Sequence, residues 1–401
     1  MYLSSVNRHR VWAEIDLQAL THNLAAIRRR AGKGVRVLLV VKADAYGHGA
    51  VTVARHAVRC GVEALGVSTS REALELRHSG IQVPILVLGI VIDEELVDCL
   101  KHEVHIGIHS SDRRASLQKL ARKHGLRARV HLNVDTGMGQ LGVPVELALG
   151  LLNEIHASAN LDLAGTMTHI AATMGLLEGP GRLQKARFER LLQSARDHDF
   201  PTGWVHMANS ATLFTSSASE MQAFDTVRPG IAAYGALDPQ LDMAGELLPV
   251  LSLRGQVVYL RDIPRGASVG YGSTWRAERP TRIATLALGY DDGVPWCLGG
   301  VGQALVHGRR APLIGRVSMD YTSIDVGHID GVRVGDVATL IGRDGAEEIR
   351  LEDIARGART IPYEISCSVG RRVARVVRQV ESEPAERTDG DGMARALPRK
   401  P

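Results

Sequence analysis

The chain has 401 residues, 45% apolar and 23% charged, and its 48 basic and 44 acidic side chains leave a net charge of +4. One hydrophobic core rarely grows past ~250–300 residues, so two domains are expected, and this composition excludes a wholly disordered chain. Acidic and basic residues are interleaved; the densest basic cluster, Arg371, Arg372, Arg375 and Arg378, reads as a solvated or ion-paired face, so no nucleic-acid partner is expected. Cys60, Cys99, Cys297 and Cys367 show no CxxC or Cys/His spacing, so neither a disulfide framework nor a metal site is expected, and a reducing, cytoplasmic setting is. The stretch Met1–Asp16 has no apolar segment of the kind a signal peptide needs. No run of ~18 apolar residues suggests a membrane span.

In chain order, short apolar runs fall at 35–41, 64–68, 84–90, 104–108, 128–134, 161–170, 204–207 and 224–229. Between them lie segments with apolar residues near helical spacing, such as Gly49–Cys60, Thr69–Ser79 and Leu183–His198. Strands alternating with helices imply a parallel sheet. Eight such units fit a (β/α)8 barrel better than an open doubly wound sheet. No GxGxxG follows the first strand, which disfavours a dinucleotide fold. After about Pro249 the texture changes to β-rich runs separated by Gly, Pro and Asp turns. The expected plan is a barrel over 11–245 and a β domain over 246–380, joined by the N-terminal segment 1–15. The polar stretch 381–401 is expected to be a disordered tail.

The most informative stretch is VVKADAYGHG, where a buried strand ends directly in Lys42. Strand C-termini form the reactive face of such a barrel, so Lys42 is expected in the active-site mouth. A lysine there can be desolvated, which frees its amine for Schiff-base chemistry. Tyr46, Gly47, His48 and Gly49 read as a tight turn into a helix. By itself, a strand-end lysine is more often a surface residue with its stem laid on apolar neighbours.

The full string resembles the cofactor-lysine motif of alanine racemases. Further matches follow in order: HLNVDTGMGQLG (131–142), TMTHIAA (166–172), HMANSAT (206–212), VRPGIAAYG (227–235), SVGYGSTW (268–275), LALGYDDG (286–293), GRVSMDYTSIDV (315–326) and TIPYEISC (360–367). The resemblance covers about residues 11–378. It implies pyridoxal 5′-phosphate (PLP) as cofactor, a TIM-like barrel with a C-terminal β domain, and two-base racemisation of alanine that supplies D-alanine.

That resemblance assigns Lys42 to one face of the substrate and Tyr271 to the other. A free tyrosine titrates near ~10 and needs help to act as a base, which points to His169. Arg228 is matched to the arginine on the pyridine nitrogen; since arginine keeps its protons, that nitrogen stays unprotonated. Tyr46, Ser210, the backbone amides of Gly230 and Ile231, and Tyr363 match the phosphate set, with Asn209 beside it. Met319 and Asp320 match a substrate-side segment, and Tyr290 and Tyr363 an entrance constriction. Because the tyrosine base and the Met-Asp segment come from the partner subunit in similar enzymes, the resemblance implies a homodimer sharing its sites.

Two departures touch chemistry. Gln140 stands where the family has an arginine that contacts cofactor and substrate carboxylate. Asn133 stands where it often has a lysine that orients this arginine. Met174 also replaces a common Asp. Losing a charged donor to a carboxylate costs ~1.5–3 kcal/mol. The chain is therefore expected to be an alanine racemase or, alternatively, a racemase of different or broader specificity, such as for serine. A related decarboxylase fits the motifs less well. A non-catalytic PLP-binding protein resembles the barrel alone and leaves the β region and Tyr271 unexplained.

Overall fold

The computed structural model describes residues 9–172, 179–221, 224–237 and 246–378. The expected tail at 381–401, Met174, the first eight residues of the N-terminal segment and the expected domain boundary near 245 lie outside them.

Eight strands, Arg36–Val40, Ala64–Val67, Ile85–Val87, His105–Ile108, Ala128–Asp135, Leu161–Thr168, Trp204–His206 and Thr226–Val227, pair in parallel in that order. The last returns to the first through Thr226 and Arg36, closing the barrel. Residues 37–40, 64–67 and 85–87 are all buried, as strands covered on both faces require. The last strand is shorter than the run 224–229: Pro229 has no N–H to extend the ladder.

Helices cover the outside. Ala50–Arg59 buries Val53, Ala54 and Ala57 at helical spacing. Ser70–His78 begins with a capping box in which Thr69 and Glu72 satisfy each other's backbone N–H groups. Ser111–His124 stops at Gly125, a left-handed residue that closes the last turn.

Beyond the barrel, Leu251–Ile263 alternates: Leu251, Leu253, Gly255 and Val257 are buried, with half-buried residues between them. This strand pairs with Thr281–Leu286, and Thr322–Asp325, Arg309–Ile314, Gln303–Val306 and Val337–Asp344 follow in spatial order. Val337–Asp344 pairs back onto Leu251–Ile263, so this sheet is also closed. The first strand among the described residues, Val11–Ile15, lies antiparallel to Leu251–Ile263 and parallel to Ala374–Val377. It leads into the helix Leu17–Ala31, whose N-cap Asp16 accepts from Gln18 and Ala19. Among the described residues, no helix is long and apolar enough to cross a membrane.

Candidate active site

Lys42 follows the strand Arg36–Val40 and opens a turn of unusual hand. Ala43, Asp44, Ala45 and Tyr46 have φ of 52°, 54°, 53° and 54°, four successive left-handed residues. The expected tight turn is present, but with opposite handedness to an ordinary helical turn. Each such L-residue costs ~1–2 kcal/mol, so the neighbours must over-determine it. Glu72 accepts the Ala43 N–H at 2.7 Å, and Asp44 accepts the Ala50 N–H at 2.7 Å. His48 Nδ1 lies 3.0 and 2.8 Å from the carbonyls of Ala45 and Tyr46, so it donates to them. Burial holds His48 neutral, its pKa pushed down to about 4. At Gly47, with φ of 82°, an added Cβ would lie 2.2 Å from the Ser366 carbonyl oxygen. Arg375 donates to the Gly47 carbonyl at 3.0 Å.

The turn sets Lys42 on a cavity of about 480 Å3. The same cavity is lined by Tyr46, Asn133, Gln140, His169, Asn209, Ser210, Arg228, Gly230, Ile231 and Tyr363, so the barrel gathers these sequence-selected residues at one mouth.

One corner holds two hydroxyls, those of Ser210 and Tyr46, beside Gly230. Ser210 Oγ accepts from the amides of Gly230 (3.0 Å) and Ala232 (3.3 Å). Ser210 starts a short helix capped by Asn209, whose side chain accepts from Thr212 at 2.9 Å. The Tyr46 hydroxyl faces Gly230 so closely that a Cβ there would lie 2.5 Å from it. Tyr46 packs between Tyr234 and Tyr363, at centroid separations of 5.1 and 5.8 Å, and burial raises its phenol well above the ordinary value.

Arg228 is buried at the end of Thr226–Val227. Its guanidinium donates to the carbonyls of His206 (2.8 Å), Thr168 (2.8 Å) and Met207 (3.3 Å). It also meets His206 Nδ1 at 3.0 Å and His169 Nδ1 at 3.3 Å. None of these partners is a carboxylate. Burial lowers the Arg228 pKa to about 10, which still leaves it charged at neutral pH. Enclosure in the cavity wall, and then the charges of Arg228 and Lys42, push His169 down to about 4. Gln184 fixes the His169 segment by donating to its carbonyl and accepting from Ala171, both at 2.9 Å.

The two departures, Gln140 and Asn133, both line the cavity. Gln140 is exposed at the mouth, on a loop ordered by Asp135, which accepts the amides of Gly137, Met138 and Gly139. Asn133 is buried, with its amide 3.4 Å from His109 Nδ1.

Tyr271, Tyr290, Met319 and Asp320 do not line this cavity. Tyr271 is 73% exposed on the turn Tyr271–Ser273 of the second sheet region. Tyr290, Met319 and Asp320 form one cluster: the amides of Tyr290 and Asp291 donate to the carbonyls of Ser318 (2.9 Å) and Met319 (3.2 Å). Arg372 clamps it by donating to Asp292 (2.7 Å), Asp320 (2.7 Å) and the Met319 carbonyl (3.2 Å). In the sequence Arg372 stands out only as part of a solvated or ion-paired basic face. Glu72, His131 and His206 carry no signal of their own there, although HLNVDTG and HMANS contain both histidines.

Residues 15–238 match the model of the alanine racemase N-terminal domain, and residues 250–377 that of the C-terminal domain. The chain belongs to the alanine racemase family. It is 39% identical to the alanine racemase of Halothermothrix orenii over 366 residues, which cover 91% of this chain and 96% of the relative. The solved alanine racemase of Streptomyces lavendulae, a D-cycloserine producer, superposes with a TM-score of 0.87 at 33% identity, covering 92% of this chain and 97% of that one. That of Bartonella henselae, with covalently bound pyridoxal phosphate, superposes with a TM-score of 0.82 at 28% identity, covering 92% and 100%.

Proposed function

We propose that this protein is a PLP-dependent alanine racemase that interconverts L- and D-alanine, with Lys42 holding the cofactor. The observation that carries this reading is one cavity that sets a strand-end lysine, Lys42, beside a buried arginine with no carboxylate partner, Arg228. The residues present fit the cofactor. The Tyr46 and Ser210 hydroxyls are donors of the right chemistry for a phosphate, and they stand beside Gly230, where a Cβ would collide with Tyr46. Arg228 is a permanent donor suited to an unprotonated ring nitrogen. A cavity of about 480 Å3 lies within the usual range for such ligands.

When bound, PLP draws off the electron pair left at Cα once its proton departs. The protein must then hold proton carriers on both faces. Lys42 serves one face with its amine. Tyr271 serves the other. Its exposure, together with that of Tyr290 (43%), Met319 (52%) and Trp296 (56%), supports a homodimer in which the partner subunit's Tyr271 completes each cavity. Arg228 also sets the protonation of His169. A guanidinium only donates, so His169 Nδ1 accepts and the ring carries its proton on Nε2. That N–H is the donor a tyrosinate base needs. The Arg372 clamp positions Met319 for the substrate carboxylate. The four free cysteines suit a cytoplasmic enzyme.

Tyr271→Phe tests the two-base reading. Solvent deuterium exchange should fall much more from one alanine enantiomer than from the other, with the cofactor retained. Equal exchange from both would remove Tyr271 from the chemistry. Gln140 and Asn133 favour a second reading, a racemase of altered specificity. Turnover of serine or another amino acid faster than alanine would select it.

A further inference from the structure

The interiors of such barrels are ordinarily filled by branched aliphatic side chains. Here three imidazoles run through the buried interior. His206 Nε2 lies 2.9 Å from His131 Nδ1, and His131 Nε2 lies 3.0 Å from His105 Nδ1. All three rings are buried, with exposures of 0, 0 and 3%. The row starts at the active site, where Arg228 contacts His206 Nδ1 at 3.0 Å. The strand between His131 and His206 makes the crossing possible. Its Gly165 pairs with His131 on one side and with Trp204 on the other. A Cβ at Gly165 would lie 2.4 Å from His131 Nδ1, so only glycine leaves room for the ring to reach His206.

We infer that Arg228, His206, His131 and His105 form a hydrogen-bonded wire of single polarity, and that His206 and His131 are positioning residues for Arg228. The polarity follows from donor inventory. Arg228 can only donate, so His206 Nδ1 accepts and its ring proton sits on Nε2. That N–H donates to His131 Nδ1, which places the His131 proton on Nε2 and makes it the donor to His105 Nδ1. His105 therefore also carries its proton on Nε2. A second proton on any ring would set two donors against each other or add a cation beside Arg228. Burial, followed by neighbouring positive charge or imidazole, lowers the affinity of all three rings for a second proton.

The consequence for the active site is orientation without neutralisation. A carboxylate beside Arg228 would cancel its charge. A neutral imidazole accepts one of its N–H groups and leaves the charge in place. Each ring that accepts a hydrogen bond becomes a better donor to the next, so the wire holds His206 in the one orientation that serves Arg228. The polarity stands on geometry alone. Its effect on turnover rests on the racemase reading, so spectra and kinetics fail separately.

Holoprotein carrying ring-15N histidine tests the polarity, with resonances assigned from single substitutions. The expected spectrum has His206, His131 and His105 each protonated on Nε2 and bare on Nδ1, unchanged from about pH 6 to 9. A proton on Nδ1 of any of the three, or a doubly protonated ring, would overturn the wire. His131→Gln can accept from His206 through its carbonyl oxygen and donate to His105 through its amide, preserving the direction. It should keep the neighbours' tautomers and hold kcat within about threefold. His131→Leu, apolar and of similar bulk, should break the wire, shift the cofactor absorbance and lower kcat about tenfold. Packing alone would rank leucine no worse than glutamine, and that ranking would overturn the positioning role. Should His131→Leu fail to fold, a reversed His206 or His105 tautomer in His131→Gln would overturn the wire by itself.

Discussion

The left-handed turn after Lys42 holds four non-glycine residues in a conformation that costs ~1–2 kcal/mol each, about 4–8 kcal/mol in all. Glu72 is the external clamp on its first residue. One carboxylate oxygen accepts from Ala43 at 2.7 Å, and the other from Ser68 (2.7 Å) and Thr69 (3.1 Å). Hydrogen bonds to a charged group contribute ~1.5–3 kcal/mol each, and the partial exposure of this site argues for the low end. With three such bonds, Glu72→Ala is therefore expected to cost about 4–5 kcal/mol, and Glu72→Gln, which keeps one acceptor oxygen, about 1–2 kcal/mol. Urea unfolding measures the loss, and retention of PLP after dialysis reports whether Lys42 has moved. Glu72 also belongs to the capping box of Ser70–His78, and Thr69→Ala separates the two roles: it removes the cap, worth ~1 kcal/mol, without touching Ala43. If Glu72→Ala costs no more than Thr69→Ala and cofactor retention is unchanged, the clamp contributes nothing and the reasoning fails.

Gln140→Arg should raise kcat/KM for alanine about ten- to a hundredfold by restoring a charge-assisted contact. The double change with Asn133→Lys should exceed either single change, because Asn133 is buried in the lining of the same cavity and the pair is expected to act as a unit. Loss of activity in every variant would instead mark Gln140 as an adaptation. Acid should destabilise the fold. His48 and His105 are buried with pKa values lowered to about 4, so the unfolded chain binds protons that the folded one refuses. Their stabilising contribution is complete above the unfolded value near ~6.5 and is lost as pH falls toward about 4, with a slope of ~1.4 kcal/mol per pH unit for each ring. Urea midpoints that stay level from about pH 7 to 5 would contradict this.

The barrel was legible because buried parallel strands read as unbroken apolar runs and their helices carry a separate period. Strand ends were less so: Pro229 cut one run short, and the interior positions of Ala128–Asp135 and Trp204–His206 hold histidine where aliphatic residues were the natural expectation. The site residues that touch the cavity sat in recognisable strings. The supporting ones did not, because their signal is spatial. Glu72 lies 29 residues from Ala43, and Arg372 lies 80 residues from Asp292. The left hand of the Lys42 turn was hidden as well, since Ala43 and Ala45 have no preference for it; tertiary contacts impose it. Gln140 was visible as a departure, and the structure adds that it lies open at the mouth while Asn133 is turned to His109.

The racemase chemistry proposed for this cavity depends on Lys42 carrying the cofactor. Borohydride reduction of the PLP-loaded protein, followed by peptide mapping, tests this. A single labelled peptide containing Lys42 is expected, and a Lys42→Ala variant should take up no covalent label. Label on another lysine, or none in a protein that demonstrably holds PLP, would contradict it.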